Sequence, residues 1–204
     1  PKLQTLGQKD YEFEYDAIRF SYKVFACIDA YQKTKPDMMW YLDADIITFE
    51  KIPMSWLEHI IPDHAFTSYL GRPKKGFSET GYYAFNTAHA HAEDFFTRWS
   101  EYYEKDLYFN IQKGFLGHFP RAGYTDSFTF DAVRLEFEQA DKMINEDLND
   151  GRFGGMRKAR HPFINSELGQ YMDHLKGFDR KSNMKSNAKD LTTKQKHKYW
   201  STLK

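Results

Sequence analysis

Phe95, Trp99, Tyr102 and Tyr103 recur at i, i+4, i+7 and i+8, the spacing of one apolar helix face, and predict a helix over residues 87–108. A second helical pattern runs over 15–31. Ile18, Tyr22, Phe25 and Asp29 share a face there, with Phe20 and Val24 beside it, and Lys35-Pro36 closes the segment. Shorter helices are predicted over 53–61, between Pro53 in its first turn and Pro62 after its end, and over 127–143 and 165–175, the last ended by Gly177. Met38-Met39-Trp40-Tyr41-Leu42 is an unbroken run of five large apolar residues, which suits a strand buried on both faces of a mostly parallel sheet. Residues 65–70 and 81–86 read as further strands. The intervening stretches 71–76, 110–125 and 145–160 are rich in Gly, Pro, Asp or basic residues and read as loops. Beyond Lys181 the chain turns Lys-, Asn- and Thr-rich, a loosely ordered tail over 183–204. Strands alternating with helices define an α/β domain with a mixed sheet flanked by helices.

Composition narrows the partners. With 204 residues the chain can bury one sizeable core. Its 29 basic and 29 acidic residues cancel, so no bulk field draws it to nucleic acid or to an anionic membrane. No run of 18 apolar residues occurs, and therefore no transmembrane segment is expected. Cys27 is the single cysteine, which rules out an internal disulfide and makes a reducing, cytoplasmic setting the expectation.

The apolar run at 38–42 ends abruptly in Asp43-Ala44-Asp45. Ligands of open α/β sheets bind at the carboxyl ends of strands, and two acids one residue apart there can hold a hard divalent cation that in turn holds a diphosphate. Asp-x-Asp is also ordinary turn chemistry, so the motif gains weight from its companions. Arg19 and Lys23, four apart on the preceding helix, can meet phosphate together or form a solvated edge with Asp16 or Asp29. Glu79 and Gly81 open a strand; Gly81 permits close backbone approach, and Glu79 can accept a hydroxyl proton. Asp126 either caps the helix that follows or turns its outer oxygen into a pocket. The segment His174 to Lys181 offers an imidazole ligand, Gly177 for a close turn, and Arg180 or Lys181 for a phosphate; equally, it suits a helix terminus. His161, in His161-Pro162-Phe163-Ile164-Asn165-Ser166-Glu167, is a rival for the imidazole role.

In this order the residues resemble the GT-A type nucleotide-sugar glycosyltransferases, especially the glycogenin-like and lipopolysaccharide galactosyltransferase-like group. Tyr41-Leu42-Asp43-Ala44-Asp45 is similar to that group's strand end that binds Mn²⁺ and the donor diphosphate. His174, Gly177 and Arg180 resemble its His-x-x-Gly-x-x-Lys segment, with Arg for Lys. Arg19 resembles the Arg on the helix before the metal strand. Asp126 resembles the Asp of an Asp-Gln pair at the sugar and acceptor site, although Ser127 stands where the family has Gln. The family's first strand, which cradles the nucleobase, is expected upstream of residue 1.

The resemblance implies a GT-A-like, Rossmann-type domain over 1–182, N-terminally incomplete, with a polar basic tail over 183–204. It implies transfer of a sugar from a UDP- or GDP-sugar to a glycan, lipid or protein hydroxyl. Mn²⁺ or Mg²⁺ would sit on Asp43, Asp45 and His174. Arg19, Lys23, Asp43, Gly81, Gly177 and Arg180 would bind the donor, and Glu79 and Asp126 would be the catalytic carboxylates. The same acids also suit a metal-dependent nucleotidyl or phosphoryl transferase, or a non-catalytic module that binds sugar nucleotides.

Overall fold

The computed structural model describes residues 11–12, 15–72, 77–107, 124–150, 161–192 and 195–201. Residues 73–76, nearly all of the loop expected over 110–125, and 151–160 of the turn region fall outside these. The class is α/β. The chain forms two compact units whose segments interleave: Pro1–Met39, Lys74–Ser78 and Asn86–Ile144 make the first, and Trp40–Pro73, Glu79–Phe85 and Asn145–Lys204 the second.

Three helices build the first unit: α1 (Ala17–Thr34), α3 (Ala92–Glu104) and α4 (Asp126–Gln139). Asp16 caps α1 by accepting from the Arg19 N–H at 3.0 Å, and Lys35 ends it in the left-handed region at φ 43°. The buried side of α1 is Val24, Cys27, Ile28 and Tyr31, at i, i+3, i+4 and i+7. Ile18 and Tyr22 lie on the opposite side, 54% and 69% exposed, so the stripe expected from the large residues is not the core face. Ala17 joins Val24, Cys27, Ile28 and Tyr31 in the core instead. Helix α3 begins at Ala92, after a turn that holds His89 and His91, and buries Phe95, Trp99 and Tyr102 of the predicted face together with Phe96, while Tyr103 is half-buried. On α4, Thr125 is the cap, accepting from the Phe128 N–H at 3.2 Å, and Asp126 occupies the first turn. Phe95 meets Phe130 and Phe137 edge-on, and Trp99 donates its indole N–H to the buried Thr129 hydroxyl at 3.0 Å. Arg98 holds Glu136 through two parallel bonds of 2.7 and 3.0 Å, tying α3 to α4 at the rim of this core.

The second unit centres on a mixed sheet in the order β1-β4-β3-β5, formed by β1 (Met38–Leu42), β4 (Glu79–Asn86), β3 (Thr67–Leu70) and β5 (Asn145–Asp147). Strand β3 runs antiparallel to β4 and parallel to β5. Its two central strands, β3 and β4, are buried almost throughout. The apolar run of β1 is different: it forms an edge strand with no fully buried residue, and Leu42 is 37% exposed. Trp40 leans on Trp56 of α2 (Met54–Ile60) and on Tyr82, and Tyr41, on the opposite face, leans on Tyr83, so rings half-cover both faces. Polar β5 has no apolar signature and is held by its end groups. Asp147 accepts from the Gly71 N–H at 2.8 Å and the Asn149 N–H at 2.9 Å, while Asn149 donates to the Gly71 carbonyl.

A second, two-stranded sheet pairs β2 (Ile46–Thr48) antiparallel with β6 (Met172–His174). Both strands are missing from the sequence reading, which placed a helix over 165–175. The segment holds only a 3-10 turn, Glu167–Gln170, before the chain extends into β6. The expected loose tail is also packed. Asp173, wholly buried, accepts from the Ser186 N–H and hydroxyl at 2.8 and 2.5 Å and from the Tyr199 hydroxyl at 2.8 Å. Tyr199 stacks on Phe49 at 4.1 Å, and Trp200 of α6 (Lys198–Ser201) donates to the Gly169 carbonyl. Polar composition misled here because these few aromatic and hydroxyl side chains carry the docking. No helix among the described residues is long and apolar enough to cross a membrane.

Candidate metal centre

Asp43 and Asp45 sit in the tight turn that joins β1 to β2. The Ile46 N–H closes that turn on the Asp43 carbonyl at 3.1 Å, and the Asp43 N–H donates to the Gly81 carbonyl on β4 at 3.0 Å. The β2–β6 register sets Ile46 opposite His174, and the Leu175 N–H donates to the Asp45 carbonyl at 2.9 Å. These backbone bonds therefore deliver an imidazole to the two acids from about 130 positions away in the sequence. One ligand atom from each of Asp43, Asp45 and His174 lies within 4.8 Å of the others.

His174 points its Nε2 at both carboxylates, 3.2 Å from Asp45 and 3.8 Å from Asp43. Its ring is 2% exposed, lying edge-on to Phe163 and His161. Burial lowers its pKa below the ordinary histidine value, against the pull of Glu79 and Asp45. Burial works against ionisation of Asp45, but the Lys181 ammonium at 2.9 Å and the imidazole outweigh it and hold the carboxyl below the usual range. Tyr41 donates its hydroxyl to Asp43 at 3.0 Å, fixing one of that residue's oxygens. Two carboxylates and one imidazole form a donor set that suits Mn²⁺ or Mg²⁺.

The expected site residues divide into three groups. Glu79 and Gly81 join the centre from β4. A Cβ on Gly81 would lie 2.5 Å from His174 Cε1 and 2.7 Å from Nδ1, so this glycine makes room for the imidazole itself. Glu79 is 3% exposed, takes two bonds from the Lys176 ammonium at 2.7 and 2.9 Å, and is also held by Arg72. Burial opposes its ionisation, yet Lys176, Arg72 and His174 bring its pKa down to about 2. Gly177 and Arg180 belong to the turn after β6. Gly177 adopts φ +87°, which other residues rarely reach, and opens α5 (Phe178–Asn183). Arg180 forks onto the buried Asp190 at 2.8 and 2.7 Å and donates to the Lys176 carbonyl, so its guanidinium is committed to shaping that turn. Arg19, Lys23 and Asp126 form a separate set in the first unit, where Lys23 pairs with Asp126 at 3.0 Å and Arg19 is exposed.

His161, the rival imidazole, bonds the His174 carbonyl through Nε2 at 2.9 Å, and burial lowers its pKa to about 4. It supports the strand and is not among the three clustered ligands. Lys176 and Arg72, which hold Glu79, were not singled out from sequence. Lys176 had a faint signal: it lies two residues beyond His174, on the same side if β6 is continued.

Comparisons of the chain with protein-family models, curated protein sequences and solved structures find no match, so its function rests on the site's own chemistry.

Proposed function

We propose that the chain is a metal-dependent glycosyltransferase that moves a sugar from a nucleoside-diphosphate donor to a hydroxyl acceptor. The observation that carries this reading is the convergence of Asp43, Asp45 and His174 at the end of a sheet strand, with their ligand atoms within 4.8 Å. Those three residues would hold Mn²⁺ or Mg²⁺, which when bound neutralises charge on a departing diphosphate.

The other tasks fall to the chain's own residues. Lys181, half-exposed and resting on Asp45, is a cation placed where negative charge would develop on the leaving group. Arg180 was expected in that role, but its commitment to Asp190 transfers it to Lys181. Glu79 was expected as a base; with its pKa near 2 and its carboxylate buried under two cations, it serves this reading as a fixed negative charge beside His174. No step is assigned to Arg19, Lys23 or Asp126.

The test is nucleoside-diphosphate release from a panel of UDP- and GDP-sugars with Mn²⁺, in the presence and absence of EDTA. Release that EDTA abolishes, and that Asp45→Ala and His174→Ala each abolish, is the expected result. Release of phosphate or pyrophosphate instead would reassign the site to phosphoryl or nucleotidyl transfer. Mn²⁺ binding without any turnover would make it a binding module, and wild-type activity in both variants would remove these residues from the reaction.

A further inference from the structure

A cleft lies in the second unit where the chain enters β6, at the other end of that strand from His174. Its volume is about 410 Å³, and Gln170, Tyr171, Gln195, Lys196 and His197 line it. Small-molecule sites run to about 300–1,000 Å³, so the cleft is large enough for one. Tyr171 stands three residues before His174, about 10 Å along extended backbone, and none of the lining belongs to the metal centre.

The lining is held in place from behind. Gly169 leaves the space that Gln195 fills, because a Cβ there would lie 2.6 Å from Gln195 Nε2. Through that nitrogen Gln195 donates to the Ile164 and Ser166 carbonyls at 2.7 and 3.2 Å, which leaves its Oε1 as an acceptor. His197 is bonded at both ring nitrogens, to Glu50 and to the Tyr199 N–H, each at 3.0 Å, and the Phe49 ring lies 4.9 Å away. The Tyr171 ring is backed by Trp56 at 4.6 Å. What remains uncommitted is polar: among the described residues the Gln170 amide, the Tyr171 hydroxyl and the Lys196 ammonium have no hydrogen-bond or ion-pair partner.

This lining selects its ligand. No aliphatic side chain is present to receive an apolar group, and no carboxylate to receive a cation. One lysine falls short of the forked donors that recognise a phosphate. Amides donate and accept at once, and tyrosine offers a flat apolar face with a polar edge. Adjacent hydroxyls above a C–H face, as on a pyranose ring, match that mixture. We propose that the cleft is a saccharide-binding site, in which Gln170, Gln195, Tyr171 and Lys196 bond sugar hydroxyls and the Tyr171 ring meets a pyranose face. The site goes beyond the transfer reaction and needs neither metal nor nucleotide.

The test is ¹⁵N–¹H chemical-shift mapping of the full chain in EDTA, without nucleotide, titrated with maltotriose, cellotriose, mannotriose and chitotriose. At least one trisaccharide is expected to shift the amides of 170–171 and 195–197 saturably. Gln170→Ala, at an exposed position, is expected to weaken that binding about 5-fold, as the loss of one hydrogen bond would, and Tyr171→Phe by a similar factor. Inorganic phosphate is the control. Shifts of these amides by phosphate but by no sugar would make Lys196 part of an anion site and overturn the proposal. Silence of these amides with all four sugars, or affinity unchanged in both variants, overturns it as well. Because metal and donor are absent throughout, a failure of the transfer reading leaves a positive result standing, and a failure here leaves that reading untouched.

Discussion

Gly81→Ala offers a direct test of how tightly the centre is built. The added methyl group would meet His174 Cε1 at 2.5 Å and Nδ1 at 2.7 Å, against a shortest ordinary contact of 3.4 Å. The ring or the strand must therefore yield by about 0.9 Å, the difference between the first contact and that limit. The ring has little freedom to do so. It is 2% exposed, its edge is set by Phe163 and His161, and its strand is registered against β2. Overpacking of this kind costs about 1–3 kcal/mol in folding stability. Metal-ligand distances tolerate only about 0.2 Å, so a ring displaced by several times that loses its place in the donor set.

The assay is a double-mutant cycle in metal-free protein, with urea unfolding of wild type, Gly81→Ala, His174→Ala and the double variant. If the cost of Gly81→Ala comes from the imidazole, it should largely vanish once His174 is alanine, giving a coupling of about 1–3 kcal/mol. Mn²⁺ titration of the single variant should show affinity reduced at least about 10-fold. Additive stabilities within about 0.5 kcal/mol, together with unchanged Mn²⁺ affinity, would refute the packing argument.

Lys181→Gln removes the ammonium that rests on Asp45, and without nucleotide it should tighten Mn²⁺ binding by up to about 5-fold, since a half-exposed pair contributes about 1 kcal/mol or less; weaker binding in a calorimetric titration would contradict this. Trp200→Ala should cost about 3–5 kcal/mol by urea unfolding, because the indole is buried and bonded to the Gly169 carbonyl; a cost below about 1 kcal/mol would mean the C-terminal segment is not docked. Asp190 gives a pH signature: burial opposes its charge, but the Arg180 fork and the Asn187 N–H outweigh this and hold its pKa below the ordinary value. Its stabilisation is then complete above about pH 4 and is lost as pH falls through the lowered pKa, so Asp190→Asn should flatten the acid limb of the stability curve. An acid limb as steep as wild type would exclude this pair as a contributor.

The sequence was most legible where one physical cause acted alone. The long period of Phe95, Trp99 and Tyr102 describes α3 correctly because all three are large, apolar and buried. The same reasoning turned α1 the wrong way. Large residues lie on both sides of it: Val24, Ile28 and Tyr31 face the core with small Ala17 and Cys27, while Ile18 and Tyr22 face outward. The strands β2, β5 and β6 are three residues each, too short for a period to declare itself, and Asn145-Glu146-Asp147 has no apolar residue at all. Such strands exist because neighbours complete their ladders, and no local pattern encodes a neighbour.

The centre shows the same division more sharply. Asp43 and Asp45 could be read from the sequence because an apolar run ending in two acids is an odd arrangement to leave without a purpose. His174 was preferred to His161 on a family resemblance and not on the residues themselves, since either imidazole can ligate and spacing along the chain says nothing about which one a strand pairing carries to the acids. That choice is made by the register of β2 against β6 and by one missing methyl group at Gly81, both long-range facts. Glu79 was noticed for its chemistry, but its surroundings redirect that chemistry: a carboxylate under two cations is a poor base and a good fixed charge. Identity thus nominated the residues, whereas burial and pairing decided their roles. For the same reason Arg180 and Lys181, neighbours of like charge, separate in function: one is spent on the buried Asp190 and the other remains at the acids.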